Sequence, residues 1–156
     1  MRKIRNRIAL YGIVLALLFL GDRGTDIGQL RPVELVQLYE KNGLLLLETD
    51  TGDRGWGLTI DEAVWKLKEA TSGVIYLDTA NGLLIEEGTE VCLPALRPYI
   101  KKRTAVVYGP EEMDLQEAAA YLRVHRPTET VENGANPKET LAFEGGKIIL
   151  KNIKEK

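Results

Sequence analysis

Residues 59–77 read TIDEAVWKLKEATSGVIYL, and this stretch decides the fold class. Thr59 stands where a helix begins, with Glu62 three residues on. That is a capping box, in which a hydroxyl and a carboxylate satisfy two amides at the helix start. Ile60, Ala63, Val64 and Leu67 then share one helical face, while Glu62 and Lys66 make an i,i+4 ion pair. Gly73 stops the helix, and Val74-Ile75-Tyr76-Leu77 follows as a β-rich run bounded by Asp78-Thr79. A one-faced helix followed by an apolar strand predicts a sheet with a helix packed on it.

On the amino-terminal side, Pro32 opens a strand pattern through Val33, Leu35, Val36, Leu38 and Tyr39. Lys41-Asn42-Gly43 predicts a hairpin turn, because Asn-Gly adopts the left-handed backbone that tight hairpins need. Leu44 to Leu47, an unbroken apolar run, predicts a second strand buried on both faces. On the other side, Gly88 to Tyr99 predicts a broken helix, since Pro94 lacks an amide donor and suits a first turn. Thr104 to Tyr108 reads as a strand closed by Gly109-Pro110. Asp114, with Glu117 three later, caps a helix whose apolar face is Leu115, Ala118, Ala119 and Leu122. Residues 126–139 are rich in Pro, Asn and Thr and predict a mobile loop. Thr140 to Phe143, Gly145-Gly146 and Lys147 to Ile153 predict a terminal hairpin. The expected architecture is α/β (α+β): one small domain over residues 32–125, with a mixed sheet covered by three helices and a hairpin or tail over 140–156.

Before that domain the chemistry changes. Residues 1–7 carry Arg2, Lys3, Arg5 and Arg7, and residues 8–21 carry no charge. Ile8, Ile13, Val14, Leu15, Leu17, Leu18, Phe19 and Leu20 leave no polar face on a helix, which speaks against a buried amino-terminal helix. The basic flank predicts a cytoplasmic amino terminus and a transmembrane helix, with the domain outside. Fourteen residues of helix span only about 21 Å against a hydrocarbon core of about 30 Å, the length of a signal-peptide core. Cleavage needs small residues at −3 and −1, yet cutting after Gly21 leaves Phe19 at −3 and cutting after Gly24 leaves Asp22 there. A retained signal anchor is therefore expected, followed by a tether over residues 22–31. The bilayer is one expected partner.

The formal net charge is −2, and four positive charges lie in the first seven residues, so the remainder carries −6. An acidic surface excludes nucleic acid as an expected partner. Cys92 is the only cysteine, which rules out an intrachain disulfide and a cysteine-based zinc site; between Val91 and Leu93 it reads as a packed small hydrophobe. His125 has no second His to join it, and neither a metal nor a cofactor is expected.

Two constellations could carry chemistry. Asp50-Thr51-Gly52 follows a strand, as does the triplet of aspartic proteases, and Asp78-Thr79 would supply the second carboxylate to share a proton. Asp53 in place of a small residue, and Ala80 after Asp78-Thr79, make turn chemistry the simpler account. Gly52-Asp53-Arg54-Gly55-Trp56-Gly57 runs from a strand to a helix start, the place of phosphate loops. Asp53, Asp61 and Glu62 would repel the anion, so a Gly-rich loop is expected instead; at its tip Arg54 and Trp56 form either a contact patch or, with Trp56 packed on the domain, a cap on the core.

Gly57-Leu58-Thr59-Ile60-Asp61-Glu62-Ala63, with Leu96-Arg97-Pro98-Tyr99-Ile100 and Thr104 to Tyr108, resembles the amino-terminal domain of the C subunit of bacterial spore germinant receptors. The resemblance runs from Val33 to Tyr108, about half the chain, and departs from that family in lacking the lipid-bearing cysteine. It implies a non-catalytic protein held at a membrane of an endospore-forming bacterium. The expectation is thus an extracytoplasmic binding or assembly module, with Arg54, Trp56, Asp50 and Asp78 as binding candidates and another membrane or envelope protein as partner. The alternative is a small membrane-proximal hydrolase using Asp50 and Asp78.

Overall fold

Thr59 caps its helix as the sequence implies: its hydroxyl accepts the Glu62 amide at 3.2 Å. The Glu62 carboxylate reaches back one residue further than a standard box and takes the Leu58 amide at 2.9 Å. Helix α1, Ile60–Ala70, buries Ile60, Ala63, Val64 and Leu67, and Lys66 pairs with Glu62 at 2.7 Å. The computed structural model describes residues 30–133 and 136–153, so the expected cytoplasmic segment, anchor and first part of the tether lie outside the described residues.

Among the described residues, nine strands accompany three helices. In chain order they are β1 (Leu30–Pro32), β2 (Leu35–Lys41), β3 (Leu44–Thr49), β4 (Arg54–Gly57), α1, β5 (Val74–Tyr76), β6 (Gly82–Ile85), α2 (Leu93–Leu96), β7 (Ala105–Tyr108), α3 (Leu115–Val124), β8 (Glu139–Glu144) and β9 (Lys147–Asn152). Seven form one mixed sheet in the order β4-β3-β2-β6-β7-β8-β9. Its centre, β2-β6-β7-β8, is parallel, and antiparallel hairpins flank it on both sides. The molecule is a single small α+β domain built on that sheet.

Both faces of the central strands are covered. On one, Val36, Leu38, Leu47, Leu83, Ile85 and Val106 meet α1 and the segment from Leu93 to Ile100. On the other, Leu35, Leu84, Val107 and Leu141 meet Leu115, Ala118, Ala119 and Leu122 of α3. Each Leu, Ile or Val buried in this way contributes about 1.5–3 kcal/mol, so the two layers dominate stability.

Several details depart from the sequence expectation. Residues 74–76 are not the buried strand after α1; β5 pairs only with β1, in parallel, with Val74 and Tyr76 exposed. The buried central strand is Gly82–Ile85. Pro32 ends a strand instead of opening one, and Leu30 and Arg31, the last tether residues, are paired with Val74 and Ile75. In β3 only Leu47 among the four leucines is fully buried, because β3 lies beside the edge strand β4. The 126–139 stretch is not loose over 128–132. Val106 donates to Glu129 and Val131 to Thr104, both at 2.9 Å, and Val131 enters the core. Glu139 also takes the Thr128 amide at 2.7 Å. The terminal hairpin forms as expected, but as the outer pair of the main sheet.

Candidate functional site

The chain between Thr49 and Thr59 turns back as an edge strand instead of a loop. β4 pairs antiparallel with β3, placing Trp56 opposite Leu46 and Arg54 opposite Glu48. Its two glycines explain the geometry. A Cβ on Gly55 would lie 2.1 Å from the Ala63 carbonyl oxygen, and one on Gly57 would lie 2.8 Å from the Ala63 amide. They face α1 and let its backbone lie directly on the strand. Arg54 and Trp56, alternating with them, must therefore point to the opposite face.

On that face α3 covers the sheet from β2 to β9, and among the described residues nothing covers the β3–β4 end. Trp56 is 47% exposed. Lys66 reaches round the edge to within 5.6 Å of that ring. Beside it, Arg54 donates to Glu48 at 2.6 Å, and the Tyr39 hydroxyl donates to the other Glu48 oxygen at 3.4 Å. Burial, helped by the Glu48 charge, pushes the Tyr39 phenol above its ordinary value; the Glu48 bond raises Arg54. The patch is an aromatic and aliphatic centre, Trp56 and Leu46, rimmed by an ion pair. Leu46 and Glu48 were not singled out from the sequence, although strand alternation against Arg54 and Trp56 would have found them once the pairing was known.

Asp50 and Asp78 go elsewhere. One Asp50 oxygen accepts the Glu34 and Leu35 amides at 3.1 and 3.2 Å, and the Asp50 amide donates to Leu35. Burial pushes its carboxyl above the ordinary carboxylate value, against those amides, which pull it down. Asp78 is exposed in a 3₁₀ turn over Leu77–Thr79, where the neighbouring Thr79 hydroxyl accepts the Val33 amide and donates to Tyr76. No hydrogen bond joins the two carboxylates among the described residues. The structure thus brings Arg54 and Trp56 together and leaves Asp50 and Asp78 in separate local roles.

His125 ends α3 with its ring 4.4 Å from that of Tyr121. Cys92 is half-buried against the core, and burial raises its thiol. Among the described residues no cluster of His, Cys, Asp and Glu is placed to hold a metal, and no helix is long and apolar enough to cross a membrane. Comparison of the chain with protein-family models, curated proteins and solved structures finds no match in any of the three.

Proposed function

We infer that this protein is a membrane-anchored, extracytoplasmic, non-catalytic module that docks another membrane or envelope protein through the Trp56 face. The observation that carries the reading is that Arg54 and Trp56 share one face at an end of the sheet left uncovered among the described residues. Trp and Arg dominate binding hot spots, and here both side chains are exposed on one face of a rigid strand. The charge asymmetry of the first twenty-one residues supports the anchor and its orientation. The resemblance of Gly57–Ala63 and its neighbours to germinant-receptor C subunits supports a setting in the envelope or spore membrane of an endospore former.

The test is a photo-crosslinking amino acid placed at Trp56 in cells and, as a control, at Val91, which is 81% exposed and remote in sequence. A discrete membrane adduct from position 56 that vanishes with Arg54→Ala is expected. Equal adducts from both positions, or none from position 56, contradict docking on this face.

A further inference from the structure

A second surface lies on the other side of α1. Between the end of that helix and the turn after α2 runs a groove of about 560 Å³ lined by Lys68, Val74, Tyr76, Asp78 and Tyr99. β5 forms one wall, and its edge away from β1 is open among the described residues. Val74 and Tyr76 alternate with buried Ile75, so both turn outward. The Lys68 ammonium stands 5.6 Å from the Tyr99 ring, and the Tyr99 hydroxyl donates to Asp61 at 2.7 Å. Trp65 follows Asp61 by four residues and precedes Lys68 by three, so it shares their helical face. It is 56% exposed, which leaves both tryptophans of the chain on the surface, on different sides.

The path of the chain says what this surface meets. Leu30 pairs with Val74, and the Arg31 guanidinium donates to Ser72 at 2.8 Å, so the polypeptide enters the domain beside β5, the strand that walls the groove. Only residues 22–29 separate Leu30 from the apolar run that ends at Gly21. Eight residues reach at most about 29 Å when fully extended. That is shorter than the path round a domain whose radius of gyration is about 14 Å. A bilayer holding the run is therefore kept on the groove side.

We propose that Trp65, Lys68, Val74, Tyr76 and Tyr99 seat in the interfacial layer of the bilayer to which the chain is tethered. This rests on the anchor reading above. Indole and phenol rings have one apolar and one polar end and favour the headgroup level, where Val74 finds the upper acyl layer. Lys68 and Asp78, opposite in sign, match the phosphate and the ammonium of a zwitterionic headgroup. With a charge of −6 beyond residue 7, the domain gains nothing from anionic lipid. The tether supplies the effective concentration that a small contact needs.

The test uses the full chain in phosphatidylcholine vesicles with brominated acyl chains. Trp56→Phe leaves Trp65 as the sole tryptophan, and Trp65→Phe leaves Trp56 as the reporter of the other side. Flotation on a density gradient reads the anchor separately. The expected result is flotation of both variants, with Trp65 emission shifted to the blue, mostly lost to the brominated lipid and shielded from aqueous acrylamide, while Trp56 emission is unchanged. If the chain floats but Trp65 is as open to acrylamide as Trp56, lipid is not the occupant, and the open β5 edge is left for an extended peptide. If the chain does not float, the anchor reading fails and the proposal falls with it.

Discussion

Asp50 joins two segments through one oxygen, and that role makes a prediction separable from catalysis. Asp50→Ala leaves the Glu34 and Leu35 amides without their acceptor and should lower stability by about 1–3 kcal/mol. Asp50→Asn keeps an accepting oxygen. A carboxyl raised in the fold holds its proton more tightly folded than unfolded, so its contribution is present below the unfolded value and lost as pH rises through the folded one. Asn should therefore gain on the wild type as pH climbs past the ordinary value of 3.8, read by urea unfolding at each pH. Asn losing ground to the wild type over that pH range contradicts this. Gly55 gives the second residue-scale prediction. Its missing Cβ would meet the helix backbone, which cannot rotate away, so Gly55→Ala should cost about 3 kcal/mol in the same assay. The turn chemistry of Asp50-Thr51-Gly52 was legible in the sequence. The close approach at Gly55 was not, since nothing local distinguishes a glycine that turns from one that admits a helix.

At the scale of elements, local chemistry was readable wherever it is self-contained. Thr59, Asp114 and Asn42-Gly43 each act on amides or backbone angles within a few residues. Asp114 accepts the Gln116 and Glu117 amides, and Asn42 and Gly43 both take positive φ, as their positions imply. Thr59→Ala should lower stability by about 1 kcal/mol, read by chemical denaturation, and an unchanged midpoint contradicts the cap. Burial was harder to read. Val74-Ile75-Tyr76 is richer in β-branched and aromatic residues than Gly82-Leu83-Leu84-Ile85, yet the second is the central strand. Propensity describes fit to a pleated surface, whereas neighbours decide which strand is covered. Val131 is similar: one apolar residue in a polar stretch was enough to dock it, once the Thr104 carbonyl was free to accept its amide.

Among the described residues a doubly covered centre is flanked by two open margins. Hydrogen exchange should find β2, β6 and β7 slowest and β1 and β5 among the fastest strands; equal protection of β5 and β6 contradicts the layering. The margins are the Trp56 face and the groove beside Trp65, one proposed to meet a protein partner and the other lipid. That Arg54 and Trp56 stand out together was legible from residue type, and strand alternation puts both on one exposed face. The groove was not, because it is made by α1, β5 and Tyr99, which are distant in sequence. Both proposals for these margins rest on the proposed anchor and on the side of the membrane to which it would hold the domain. The most direct measurement fuses, after Lys156, a reporter enzyme active only outside the cytoplasm and, in parallel, one active only within it. Membrane-bound activity of the first fusion and silence of the second is the expected result. Activity of the second alone contradicts an anchored, outward-facing domain.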